Sequence, residues 1–231
     1  AISPVDSAGT EAPGNAGSYT VVLTSEPTAS VTVTVSPDGQ VTVDKPSLTF
    51  TTGNWALPQT VTVTPIDDSV VEGPHSGVVS HSAAGGGYDA VTISNYTISI
   101  TDNDTAGVSV VQSGGTTNVV EGGATDTYTV VLTSQPTAAV TVTVSPDTQV
   151  SRTPTTPLVF TGGAGGNWST PQTVTVTAVN DAIVEGAHTG TITHTATSTD
   201  GNYNGIGIAS VTAAITDNNF SVDFVQVSSS P

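Results

Sequence analysis

The chain has 231 residues, only 9% of them charged, and 2 basic residues against 19 acidic ones give a formal charge of −17. So acidic a balance disfavours nucleic acid and anionic membrane as partners and favours cations. The lack of cysteine excludes disulfides, thiol catalysis and thiolate metal sites, and no run of about 18 apolar residues exists to span a bilayer.

In chain order, the first 15 residues are rich in Gly, Pro and Ser and read as lacking a full strand. Strict alternation then begins. Ser30-Val-Thr-Val-Thr-Val-Ser36 and Thr60-Val-Thr-Val-Thr64 place valines on one face and hydroxyls on the other, the period of a half-buried strand. Longer strands are expected at 75–83 and 91–101, before the short join Asp102-Asn-Asp-Thr-Ala-Gly107. Val108-Ser-Val-Val-Gln-Ser113 follows as a strand, then Ala139–Ser145, Thr173–Thr177, 188–197 and 208–216. Glu26-Pro27, Pro37-Asp-Gly39, Gly85–Gly87, Gln135-Pro136 and Gly162–Gly166 punctuate these runs as turns.

The same module occurs twice. Tyr19-Thr-Val-Val-Leu-Thr-Ser25 recurs at Tyr128–Ser134, and Val31-Thr-Val-Thr-Val-Ser-Pro-Asp38 recurs at Val140–Asp147. About seven short strands per copy predict an all-β chain of two sandwiches in tandem, 1–105 and 106–219, followed by a tail at 220–231. Copy two opens with Val108–Ser113, copy one has no evident counterpart, and Val222-Asp-Phe-Val-Gln-Val227 reads as the missing strand. Copy one is therefore expected to lack its own first strand.

Asp67-Asp-Ser-Val-Val-Glu-Gly73 is echoed by Asn180-Asp-Ala-Ile-Val-Glu-Gly186, Ile100-Thr-Asp-Asn-Asp104 by Ile215-Thr-Asp-Asn-Asn219, and Val119-Val-Glu-Gly122 lies near the start of copy two. With these motifs nearly the whole chain resembles the Calx-beta family, above all the Calx-beta-like tandem repeats of large microbial surface proteins. The resemblance implies immunoglobulin-like sandwiches that often bind Ca²⁺ at one pole, with adhesive or architectural roles rather than catalysis.

Ca²⁺ takes six to eight oxygens, commonly from carboxylates on converging loops. Copy one offers Glu11, Asp38, Asp67, Asp68, Glu72, Asp102 and Asp104. The resemblance implies that Asp67, Asp68, Glu72, Asp102 and Asp104 surround a cation at the domain junction. Copy two keeps Glu121, Asp147, Asp181, Glu185 and Asp217 but carries Asn180 and Asn219 in place of two acids, so its binding should be weaker or absent. The same acids also suit tight turns, capped through their own side chains.

His75 and His81 are matched by His188 and His194. Six residues along a strand separate each pair by about 20 Å, so neither pair chelates one metal. They read as repeated surface or packing positions, and a transition-metal site would need another ligand. Trp55 and Trp168 match as packing residues. No Gly-x-Ser-x-Gly or Ser-x-x-Lys is present, and Gly162–Gly166 lacks the lysine of a phosphate loop, so the chain is not expected to be an enzyme. Asn95, Asn103, Asn167 and Asn219 begin Asn-x-Ser/Thr triplets, with Asn95 and Asn167 the candidates for glycosylation.

The absence of methionine, even at position 1, and the Thr/Val-rich, lysine-poor composition fit a processed chain that is secreted or at the cell surface. The function expected is a structural subunit of an extracellular filament, stiffened by Ca²⁺. Val222, Phe224, Val225 and Val227 of one subunit would enter the first domain of the next, identical subunit, extending the chain head to tail without nucleic acid or membrane. Alternatives are a piece of a large tandem-repeat adhesin, a Ca²⁺-binding regulatory module, or a tail that folds back into its own first domain.

Overall fold

The computed structural model of the chain describes residues 1–11 and 15–220. The chain divides into two compact units, Ala1–Asp104 and a second beginning at Thr105. Each is a β-sandwich, and no helix of the described residues is long and apolar enough to cross a membrane.

The first domain contains β1 (Ile2–Asp6), β2 (Ala8–Thr10), β3 (Gly17–Val21), β4 (Val31–Pro37), β5 (Val41–Val43), β6 (Ser47–Phe50), β7 (Gln59–Pro65), β8 (His75–Ala84) and β9 (Tyr96–Thr101). One sheet runs β1-β3-β7-β5 and the other β2-β9-β8-β4-β6. The second domain repeats this with β10 (Val108–Gln112), β11 (Thr117–Val120), β12 (Asp126–Leu132), β13 (Val140–Pro146), β14 (Val150–Thr153), β15 (Leu158–Phe160), β16 (Gln172–Ala178), β17 (His188–Thr197) and β18 (Val211–Thr216). Its sheets run β10-β12-β16-β14 and β11-β18-β17-β13-β15.

The Val-Thr alternation produces this architecture directly. Along β4, Val31, Val33 and Val35 are buried while Thr32 and Thr34 face water, and β7 buries Val61 and Val63. Their inward side chains meet Tyr19, Phe50 and Ile98 in one core. The second domain builds its own core around Tyr128, Val130, Phe160, Val174 and Ile192. Trp55 and Trp168 pack against these cores. His81 and His194 are packing positions: their Nε2 atoms meet the hydroxyls of Tyr19 and Tyr128 at 2.6 and 2.8 Å. Burial holds both imidazoles below their ordinary pKa.

The first domain does not lack its first strand. Ile2–Asp6 pairs antiparallel with β3, Ile2 facing Val21, just as Val110 of β10 faces Val130. Ala1 exchanges backbone hydrogen bonds with Val22 in both directions. Backbone pairing holds this strand although Ser3, Pro4, Val5 and Asp6 are exposed, so it needs no inward-facing pattern. The proposed donor segment 222–227 lies outside the described residues. The strands expected from 91 and 208 begin later, at Tyr96 and Val211. Before β9 the chain turns, with the Val91 amide bonded to the Tyr88 carbonyl and the Ser94 carbonyl facing His81 Nδ1.

In each domain the opening strand changes sheets. After β1 and β10 leave the smaller sheet, β2 and β11 pair in parallel with the last strands β9 and β18. That switch delivers the next residue, Glu11 or Glu121, to the end of the final strand: their amides bond the carbonyls of Thr101 and Thr216.

Candidate metal centre

Three loops meet at this end of the first domain. Glu11 follows β2, Asp102 and Asp104 follow β9, and Asp67–Gly73 links β7 to β8. Asp102 organises them. One of its oxygens accepts the amides of Glu72 and Gly73 at 2.7 and 2.6 Å, the other that of Asp104 at 2.7 Å. Gly73 adopts φ +69°, a conformation glycine takes without strain, which aims successive amides at one carboxylate. Burial works to raise the Asp102 carboxyl, but these amides outweigh it and hold its pKa below the ordinary range.

Glu11 has the opposite environment. The residue is 2% exposed, and neither carboxylate oxygen accepts a well-formed hydrogen bond. Burial first, then the Asp102 charge, push its pKa up to about 7. Asp104 Oδ2 is likewise buried without a donor. Burial and the charges of Asp102, Asp68 and Asp67 raise the Asp104 pKa. Ligand oxygens of Glu11, Asp102 and Asp104 lie within 4.8 Å of one another. Asp67 is tied to the group through Asn103 Nδ2 at 3.1 Å, and Asp68 caps its own loop at the Val70 amide. Neither basic side chain is available to this end: Lys45 bonds Asp44 and the Thr60 carbonyl, and Arg152 bonds the carbonyls of Val144, Thr155 and Thr156.

A buried, donorless carboxylate is costly as an anion, and a shared cation relieves that cost. Glu11, Asp102 and Asp104 bring carboxylate oxygens together, the ligand type that suits Ca²⁺, and Asp67 and Asp68 add negative charge beside them.

The second domain keeps half of this arrangement. Asp217 accepts the amides of Asn219, Gly186 and Glu185, which hold its pKa low. Glu121 is 1% exposed with both oxygens donorless, and burial followed by Asp217, Asp181 and Glu185 raises its pKa. Asn180 and Asn219 stand where the first domain has Asp67 and Asp104. Asn218 Nδ2 donates to the Glu121 carbonyl and to Asn180 Oδ1, both at 2.9 Å, and Asn219 Nδ2 donates to the carbonyls of Asp181 and Ile183. Asp181 caps its loop at the Ile183 amide. Hydrogen bonds here close a space that carboxylates line in the first domain.

Two expected ligands stand outside these groups. Asp38 accepts the amides of Gln40 and Val78, and Asp147 those of Gln149 and Thr191, so both are turn residues with their oxygens engaged. Two residues not counted as ligands stand within them. His75 Nε2 lies 3.5 Å from both Glu11 and Glu72, and His188 Nε2 lies 3.7 Å from Glu121 and 3.4 Å from Glu185. The repeated Glu-Gly-x-His spacing, Glu72 to His75 and Glu185 to His188, was the available signal.

Of the asparagines considered for glycosylation, Asn95 is exposed. Asn167 is engaged in its turn, Nδ2 donating to the Val159 carbonyl at 3.0 Å and Oδ1 accepting the Thr161 amide at 2.7 Å.

No protein-family model matches the chain, and no match is found among curated proteins. Solved structures with a similar trace include the calcium binding domain CBD12 of CALX1.1, at 14% identity and TM-score 0.39 over 94% of this chain and 100% of that one. The D0-D1 domain of Intimin is similar at 17% identity and TM-score 0.30, covering 92% and 94%. A chain of the CsuC-CsuE chaperone-tip adhesion subunit complex from Acinetobacter baumannii is similar at 10% identity and TM-score 0.32, covering 94% and 98%. At these identities and TM-scores the likenesses say nothing of function.

Proposed function

We propose that the chain is a structural, non-catalytic module of an extracellular surface assembly, whose first domain is locked by Ca²⁺. The observation that carries this reading is the buried carboxylate of Glu11, which accepts no well-formed hydrogen bond and faces Asp102 and Asp104. An ion there ties the opening strand to the end of β9, beside the β7–β8 loop. Extracellular modules bind Ca²⁺ in the range of about 10⁻⁴–10⁻³ M, a concentration met outside cells. The low charged fraction away from the poles and the alternating Val-Thr sheets suit a load-bearing repeat. A glutamate-specific protease should cut at Glu72 in excess chelator and be blocked there by millimolar Ca²⁺; equal cutting in both would remove the reading.

Assembly with identical subunits by strand donation from 222–227 is a second reading, supported by the likeness of Val222-Asp-Phe-Val-Gln to the opening of β10, Val108-Ser-Val-Val-Gln. Because β1 already holds the strand position in the first domain, a donor would have to displace it. Deleting 220–231 should then abolish concentration-dependent association in sedimentation velocity. Association undiminished by the deletion would exclude the tail as donor.

A further inference from the structure

The second domain's pole repeats the Glu-Glu-His triad of the first, Glu121, Glu185 and His188 standing where Glu11, Glu72 and His75 stand, but among the described residues it has no counterpart of the Glu11–Asp102–Asp104 group, which leaves the nitrogen-containing triad by itself. His188 Nδ1 faces the Gly186 carbonyl at 2.9 Å, which makes that nitrogen the N–H donor, so in the neutral ring the Nε2 lone pair points inward. Nε2 is buried and has no hydrogen-bond partner. It faces Glu121 Oε1 at 3.7 Å and Glu185 Oε2 at 3.4 Å. The other Glu185 oxygen accepts from Gln149 Nε2 at 3.3 Å, which orients the carboxylate. All three ligand atoms lie within 4.8 Å of one another.

A lone pair confronting two carboxylates is repulsive unless a cation sits between them. A proton alone fits poorly, because charged N–H···O contacts close to roughly 2.7–2.9 Å, well below the two distances here. Ligands at about 2.0–2.1 Å from a tetrahedral ion are instead separated by roughly 3.3 Å. Imidazole nitrogen suits borderline transition ions, whereas Ca²⁺ prefers oxygen alone and more of it. The oxygen side of this pole is also closed by the amides of Asn218 and Asn219. The backbone carbonyl behind Nδ1 and the amide behind Glu185 are the supporting contacts that metal-binding His and Glu commonly have.

We propose that Glu121, Glu185 and His188 bind a divalent transition ion of the Zn²⁺ class, with one position left for water, and that this site discriminates against Ca²⁺. The buried donorless carboxylate of Glu121 is its anchor, Glu185 and His188 arrive together where the preceding loop enters β17, and the ion joins that point to the end of β11. The proposal stands independently of Ca²⁺ in the first domain.

The test is a Zn²⁺ titration of the full chain carrying His75→Gln, so that only the second pole offers an imidazole, in millimolar Ca²⁺. One equivalent of Zn²⁺ should bind. Adding His188→Gln should weaken it by at least the roughly 10–100-fold that loss of a supporting contact costs at such sites. The Zn²⁺ absorption edge should report an imidazole nitrogen. Should His188→Gln unfold the domain, nitrogen NMR of the otherwise unmutated chain decides: Zn²⁺ should shift His188 Nε2 and leave His194 unmoved. No binding, binding indifferent to His188→Gln in a folded protein, an unshifted Nε2, or displacement of Zn²⁺ by millimolar Ca²⁺ would each overturn the proposal.

Discussion

In excess chelator, the first domain should melt at progressively lower temperature as pH rises from 4.5 to about 7, and Ca²⁺ should abolish that fall. Glu11 has its pKa raised from the ordinary 4.5 to about 7, so in this window the folded state binds a proton that the unfolded chain has released. Stability must then decline with rising pH until the group is ionised in both states. Asp102 acts in the opposite sense: its pKa is lowered from 3.8, so its stabilisation is present above that value and disappears as pH falls through the folded-state pKa. The ion-free domain should therefore be most stable near pH 4.5. At neutral pH, Ca²⁺ at about 100 times its dissociation constant adds about 2.7 kcal/mol. For a domain of about 100 residues this is roughly 10–20 °C. Calorimetry across pH, with and without Ca²⁺, reads both effects; a melting temperature that rises through pH 4.5–7 in chelator would contradict the assignment of Glu11.

Phe50→Ala should lower the stability of the first domain by about 3–5 kcal/mol, the usual cost of emptying a buried aromatic site. Phe50 has no exposed surface, pairs across the sheet with Val31, and belongs to a core made only of first-domain residues. Against a typical total of about 5–15 kcal/mol, this brings the domain near its unfolding threshold. Phe160 fills the corresponding place in a separate core. The mutant should show a first-domain transition moved far down and a second-domain transition still in place. Movement of both transitions together by the same amount would show that the two cores do not melt independently.

The fold was legible wherever side chains carried it. Val31–Val35, Val61–Val63 and their second-copy counterparts alternate so strictly that their strands and inward faces could be read without coordinates. β1 was hidden because backbone pairing alone defines it: Ser3 and Pro4 stand where Val111 and Gln112 stand in β10, and most of its side chains face water. Asp38 and Asp147 were overread because an acid that caps a turn and an acid that awaits an ion are the same letter. Only the amides of Val78 and Thr191, 40 and 44 residues away, separate the two cases. His75 and His188 escape a reading along one strand, which relates them only to His81 and His194. Their partners come instead from the preceding loop and from the sheet-switching opening strand, a meeting that only the parallel pairing of β2 with β9 and β11 with β18 creates.

The convergence of Glu11, Asp102 and Asp104 on a single ion is tested most directly by titrating Ca²⁺ into the metal-free full chain and into its Glu11→Gln variant by isothermal calorimetry. The unmodified chain should bind Ca²⁺ with affinity in the extracellular range of about 10⁻⁴–10⁻³ M or tighter. Glu11→Gln, which removes the buried charge but keeps its volume, should lose that binding while melting no lower than the unmodified chain in chelator. Ca²⁺ bound equally well by both proteins, or by neither, would contradict the account.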